Sequence, residues 1–275
     1  MPALTLAGLL EELRVPRRGV LYLHSSMDRM WRVGLRLDEV LATLTSWAGD
    51  RGTLVVPTFP FVRGHEEYLR TRPHLDVRTT PTRVGVLHEF VRRLPDVRRS
   101  IDPDLPVSAC GPDALGIVGD RPTGPDPKGP DSPFHRVLAS GGTLIGLGVT
   151  TNYMGLTHVI DARFRHRYAF PIYSTQTYSA TSCDYDGVVH SVCKHAVLEN
   201  VERNIKPSRV IDLLPPGSDI FRSILVEGVC FFRWSLPGWE EVCTRHVEER
   251  LRSGREPCWH ELVALEHGAR GVSPS

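Results

Sequence analysis

Lysine is nearly missing from this 275-residue sequence: only Lys128, Lys194 and Lys206 stand among 33 basic residues. The bias fits a GC-rich coding sequence better than a task reserved for guanidinium groups. An excess of charge is missing too, since 33 Lys and Arg face 32 Asp and Glu, so no net field draws the molecule toward nucleic acid or an anionic membrane. No basic–aromatic stacking motif for a nucleic acid stands out. Nor does any apolar run approach the roughly 20 residues that cross a bilayer. The opening residues, MPALTLAGLLEELRVPRRG, lack the basic region, long apolar run and cleavage site of a secretory leader. The expectation is a soluble cytoplasmic protein with no membrane or nucleic-acid partner.

Cysteine is also too sparse, at six residues, for a disulfide framework in a chain of this size. Cys183, His190, Cys193 and His195 lie close enough to raise a zinc site. The alternation of CDYDGVVHSVCKH instead predicts a β-hairpin with Asp186-Gly187 at its turn. On a strand, His190 then shares a face with neither Cys193 nor His195, because that needs an even spacing. No metal is expected.

What is present alternates between helix and strand. LAGLLEELRV, GVLYLHSS, a helix from Leu37 to Ala48 and GTLVVPTF give an α/β opening, and VLYLH and TLVVP are apolar enough for strands covered on both faces. A polar stretch from Arg63 to Pro81 follows. RVGVLHEFVRRL then reads as a helix with Val84, Leu87, Phe90, Val91 and Leu94 as its apolar stripe, ended by Pro95. Residues 118–133 read as a loop. PFHRVLAS reads as a helix capped by Ser132, and TLIGLGV as a buried strand. From Phe170 the pattern turns to hairpins, SILVEGVCFFRWS adds a strand, and WEEVCTRHVEERLRSG a helix with Pro237-Gly238 before it. The fold expected is α/β, a mixed central sheet with flanking helices and a β-rich C-terminal addition: one domain over 1–275, with 170–235 a β-rich subdomain.

A strand that ends in Ser25-Ser26 ahead of a helix presents N–H and Oγ groups that suit a pyrophosphate, or that simply cap a turn. LYLHSSM, GTLVVPTF, the run from RTTPTRVGVLHEFVRRLPDVRRSIDP to SACGPDA, GPDSPFHRVLASGGTLIGLGV and GLTHVIDA, taken together and in order, resemble the aminoglycoside 3-N-acetyltransferase family over roughly residues 15 to 165. The resemblance implies an acetyl-coenzyme A dependent N-acyltransferase for a small-molecule amine, with His158 as general base and Asp161 as its acid partner. Residues three apart on a helix share a face, so Asp161 can hold one imidazole nitrogen and leave the other for substrate. An alkyl ammonium has no lone pair to attack a thioester until a base takes its proton.

By the same resemblance Ser25, Ser26, Thr58, Arg99 and Ser100 are the expected coenzyme A contacts. Two positions depart from the family pattern: Asp102 stands where histidine is usual and Asp161 where glutamate is usual. Asp102 and Glu89 are the expected contacts for a cationic acceptor, in an acidic cleft to which Asp104 and Asp113 could add. A thioester hydrolase or carrier-protein transacylase, and a degenerate ligand-binding member, stay open as alternatives. A homodimer is the assembly considered.

Overall fold

The computed structural model describes residues 4–62, 64–261 and 263–264. In chain order the elements are α1 (Leu6–Glu12), β1 (Gly19–Ser25), α2 (Met27–Arg32), α3 (Leu37–Ala48), β2 (Gly52–Pro57), α4 (His65–Arg70), β3 (His74–Asp76), α5 (Val86–Arg92), β4 (Arg98–Arg99) and β5 (Val107–Cys110). They continue with α6 (Ala114–Val118), α7 (Pro133–Ala139), β6 (Thr143–Leu147), α8 (Thr157–Phe164), β7 (Tyr173–Cys183), β8 (Val189–Val197), α9 (Glu199–Asn204), β9 (Phe221–Val226), β10 (Val229–Ser235) and α10 (Leu236–Arg252).

Seven strands form the central sheet in the order β4-β5-β2-β1-β6-β10-β9. Its middle, β2-β1-β6, is parallel, and both flanks are antiparallel. The apolar runs of these three strands follow from that position. Leu21 and Leu23 of β1, Leu54 and Val56 of β2, and Ile145 and Leu147 of β6 enter one core with α1, α3 and α5, while Val20, Tyr22, Val55 and Leu144 enter the other with α7, α8 and α10. Strands covered on both faces have no polar side to show. Gly146 leaves room for a neighbour across β6: a Cβ there would lie 2.1 Å from the Phe232 ring of β10.

Local expectations hold for α3, whose bounds are those read from the pattern, and for α7, where Ser132 Oγ accepts the His135 N–H and Pro133 opens the helix. The hairpin of β7 and β8 is also present, with Gly187 in its turn at φ +81° and His190 bonded to Asp184 at 2.6 Å.

Several expectations are corrected. α5 begins at Val86 rather than Arg83, and Phe90 is half exposed, because the helix turns Leu87, His88, Val91 and Arg92 inward instead. The polar stretch before it holds α4 and β3; Arg63 lies outside the described residues. SILVEGVCFFRWS is two strands, β9 and β10, joined by Glu227 and Gly228 with both φ angles positive, the backbone that tight two-residue hairpins require. Pro237 and Gly238 lie inside the first turn of α10, where a proline loses no helical hydrogen bond. The β-rich stretch 170–235 is divided. β7 and β8 join β3 in a separate three-stranded sheet, whereas β9 and β10 complete the central one.

Candidate active site

β1, β2 and β6 all end on the same side, and open α/β sheets bind ligands in the crevice outside the carboxyl ends of their parallel strands. The loop after β2 lines a cleft of about 630 Å³ there, walled by Phe59, Phe61, Leu105 and Val197, with His158 of α8 and Lys128 inside it and Glu67, Glu199, Glu202 and Arg203 contributed by α4 and α9.

α8 carries the His158–Asp161 pair. Val159, Ile160 and Ala162 pack into the core and fix the rotation of the helix. His158, whose side chain is 13% exposed, therefore faces the cleft, while Asp161 is sealed beneath it. His158 Nδ1 lies 3.2 Å from Asp161 Oδ2. The other carboxylate oxygen accepts from Tyr168 Oη at 3.2 Å, Trp259 Nε1 at 3.0 Å and His260 Nε2 at 2.8 Å.

Burial alone would raise the Asp161 carboxyl, but the His260 charge and the hydrogen bonds from His158 and His260 outweigh it and hold the group well below the usual carboxylate range. A carboxylate can only accept, so His158 Nδ1 carries the proton and Nε2 keeps its lone pair. Burial lowers the His158 pKa, the Asp161 hydrogen bond pulls it back up, and Lys128 lowers it further. The imidazole is neutral at pH 7 and able to take a proton.

The expected coenzyme A contacts divide. Ser25 and Ser26 sit half-buried at the end of β1, and Ser26 makes no capping bond to α2. Thr58 is buried and donates to Pro106 O while sharing a hydrogen bond with Ser108 Oγ. The Arg99 guanidinium is engaged by the carbonyls of Thr80 and Thr58. Ser100 Oγ accepts the Val107 N–H. Those three side chains are engaged by bonds within the protein, and neither they nor the two serines are among the residues that line the cleft.

The expected acceptor contacts lie elsewhere. Glu89 is clamped by Arg92 and Arg93. Asp102 is buried against Thr123 and Lys194, beside Asp104, which holds Lys194 and His65 Nε2. Burial and the neighbouring Asp104 charge push the Asp102 carboxyl up. Asp113 donates its N–H to Thr53 Oγ1 and accepts from that hydroxyl instead. None of these four acids lines the cleft; its carboxylates are Glu67, Glu199 and Glu202. Composition alone hid Lys128 and Lys194, and no signal marked Tyr168, Trp259 and His260, whose side chains reach Asp161 from 7, 98 and 99 residues away.

A sheet with a parallel centre and antiparallel flanks, and a histidine–carboxylate pair opening onto the cleft, define the class: an α/β protein with a cleft beside the carboxyl edge of its parallel strands. The family model described as aminoglycoside 3-N-acetyltransferase matches residues 22–206, and the chain belongs to that family. Aminoglycoside N(3)-acetyltransferase VII of Streptomyces paromomycinus is 31% identical over 152 residues, covering 50% of this chain and 52% of that protein. The chain thus spans about half the length of such curated relatives. Among solved structures, that of AAC-IIIb in binary complex with CoASH matches with a TM-score of 0.68 at 19% identity, over 89% of this chain and 95% of that one. That of AAC-VIa bound to sisomicin matches at 0.67 and 20%, over 89% and 96%. At such identities the likeness is one of fold.

Proposed function

We propose that this protein transfers an acetyl group from acetyl-coenzyme A to an amine of an aminoglycoside-like acceptor. The observation that carries the reading is the His158–Asp161 pair, with Nε2 of the imidazole left open to the cleft. Membership of the family supports it, as do the structural relatives AAC-IIIb, solved with CoASH, and AAC-VIa, solved with sisomicin. The cleft carries Glu67 and Glu202, beside a Glu199 that is paired with Arg203, as carboxylates that a cationic amino sugar could meet.

In this reaction acetyl-coenzyme A supplies the activated thioester. His158 Nε2 takes the proton from the acceptor ammonium or from the attacking amine, and Asp161 stabilises the imidazolium that forms without itself being protonated. The three donors on the other Asp161 oxygen keep the carboxylate from rotating, so the imidazole is held for one tautomer. Ser25 and Ser26 are proposed to meet the pyrophosphate of the coenzyme.

The experiment is thiol release from acetyl-coenzyme A with sisomicin as acceptor. His158→Ala is expected to lower kcat by about 10²-fold or more. Equal activity of the variant removes His158 as base, and thiol release that needs no amine turns the reading to hydrolysis.

A further inference from the structure

Lys128 is the cleft residue that the reaction above leaves without a task. It is buried, with 7% of its surface exposed, and lies in the loop before α7. Its ammonium lines the same cleft as His158 and donates to the carbonyl of Gly155, at the turn into α8, over 2.8 Å. The Phe134 ring lies 4.8 Å from Nζ. An ammonium has three N–H donors, and among the described residues one of them is engaged. No carboxylate among the described residues comes within ion-pairing distance of it. A cation buried without a paired anion is costly to keep, so its presence here calls for a charge that appears only when the site is at work.

We propose that Lys128 is a catalytic residue of the acyl transfer, its ammonium holding the carbonyl oxygen of the acetyl group as that oxygen becomes negative. The inference rests on the N-acyl transfer reading. The amine nitrogen forms a bond to the thioester carbonyl carbon, and the carbonyl π pair moves onto oxygen, beside Lys128. His158 Nε2 takes the amine proton. When the oxygen pair returns to re-form C=O, the C–S bond breaks and the thiolate takes the proton back from His158, giving amide and free thiol. Lys128 gains and loses nothing; it contributes a fixed charge where the reaction makes the opposite one.

The surroundings make that charge titratable. Burial lowers the Lys128 pKa to about 8, opposed by Glu202 on α9, Asp161 on α8 and Asp104 in the loop before β5. His158 on α8 and His24 on β1 are the other titratable groups that feel it. The ammonium is therefore charged at pH 7 and loses its proton through about pH 8.

The test separates charge from scaffold, using acetyl-coenzyme A and sisomicin with thiol release as the readout. Lys128→Gln keeps a donor for the Gly155 carbonyl and removes the charge; kcat is expected to fall by about 10²-fold, with KM for acetyl-coenzyme A little changed. Lys128→Met gives the same loss, and serves if the Gln variant does not fold. Lys128→Arg restores most of the rate, because a guanidinium stays charged. The ratio of Arg variant to wild type then rises above about pH 8, where only the lysine discharges; taking the ratio cancels titration of the acceptor amine.

A Gln variant with kcat within about threefold of wild type, alongside an inactive His158→Ala, overturns the role of Lys128 and leaves the acyl-transfer reading standing. A wild-type enzyme with no acceptor-dependent thiol release, or a His158→Ala variant as fast as wild type, overturns the reading and the Lys128 role with it.

Discussion

Asp161 answers to four donors, and no other carboxylate described here is so fully bonded by side chains. Its replacement by asparagine presents an NH2 group to donors that have nowhere else to turn, and frees His158 to take the wrong tautomer. We expect Asp161→Asn to lower kcat by about 10²-fold or more while KM for acetyl-coenzyme A holds; steady-state kinetics with sisomicin decide it. Because the folded Asp161 titrates below the unfolded value of about 3.9, its stabilising contribution is complete above that pH and is lost as the pH falls through the folded value. Acid unfolding followed by circular dichroism should therefore be shallower in the Asn variant. The base gives a second pH signature. His158 titrates below the ordinary imidazole value of about 6.5, so kcat/KM for the acceptor is expected to be level near neutrality and to fall on the acid side only beneath that value.

At this scale the sequence was half legible. Helical spacing and motif order pointed to His158 and Asp161, because i and i+3 is a local relation. Lys128 and Lys194 passed as composition, since nothing in a single chain of letters tells a buried ammonium from an exposed one. Asp102 and Glu89 were read as cleft acids for the same reason. Their partners, Lys194 on β8 and the arginines at the end of α5, decide otherwise.

Among elements, those with a strong local pattern are legible, α3 with its bounds and the strands around VLYLH and TLVVP to within two residues at their ends. Where a turn is made by a residue other than Gly or Asn at its first position, as at Glu227, the hairpin was missed and two strands merged into one. Pairing across the sheet is the other hidden quantity, and Gly146 shows what it demands. The Phe232 ring is fully buried and cannot move aside. Gly146→Ala is expected to cost about 1–3 kcal/mol through overpacking, seen as a lowered Tm, whereas Gly187→Ala in the exposed hairpin turn pays only for its positive φ and should cost less.

For the whole molecule, the resemblance read over residues 15 to 165 covers the parallel centre of the sheet, and the family match runs on to residue 206. The division of the later strands between two sheets was out of reach, because which edge a strand joins is set by distant partners. Lys194 joins the two halves. It stands on β8 of the small sheet and its ammonium reaches Asp102 and Asp104, in the loop that leads into β5 of the central one. Removing one partner of a buried ionic cluster costs about 3–5 kcal/mol, so Lys194→Met should lower Tm markedly. Hydrogen exchange should speed first in β7 and β8, and uniform loss of protection over both sheets would contradict this division of labour.

The position of β10 also bears on synthesis. β6 pairs on one side with β1 and on the other with β10, whose residues are made some eighty positions later. Until Val229–Ser235 leaves the ribosome, the apolar strand Thr143–Leu147 has an open edge, and such an edge recruits other chains. A nascent chain stalled after α8 would already contain His158, Asp161 and Lys128, yet lack both the strand that covers this edge and the Trp259 and His260 that hold Asp161, and is expected to aggregate.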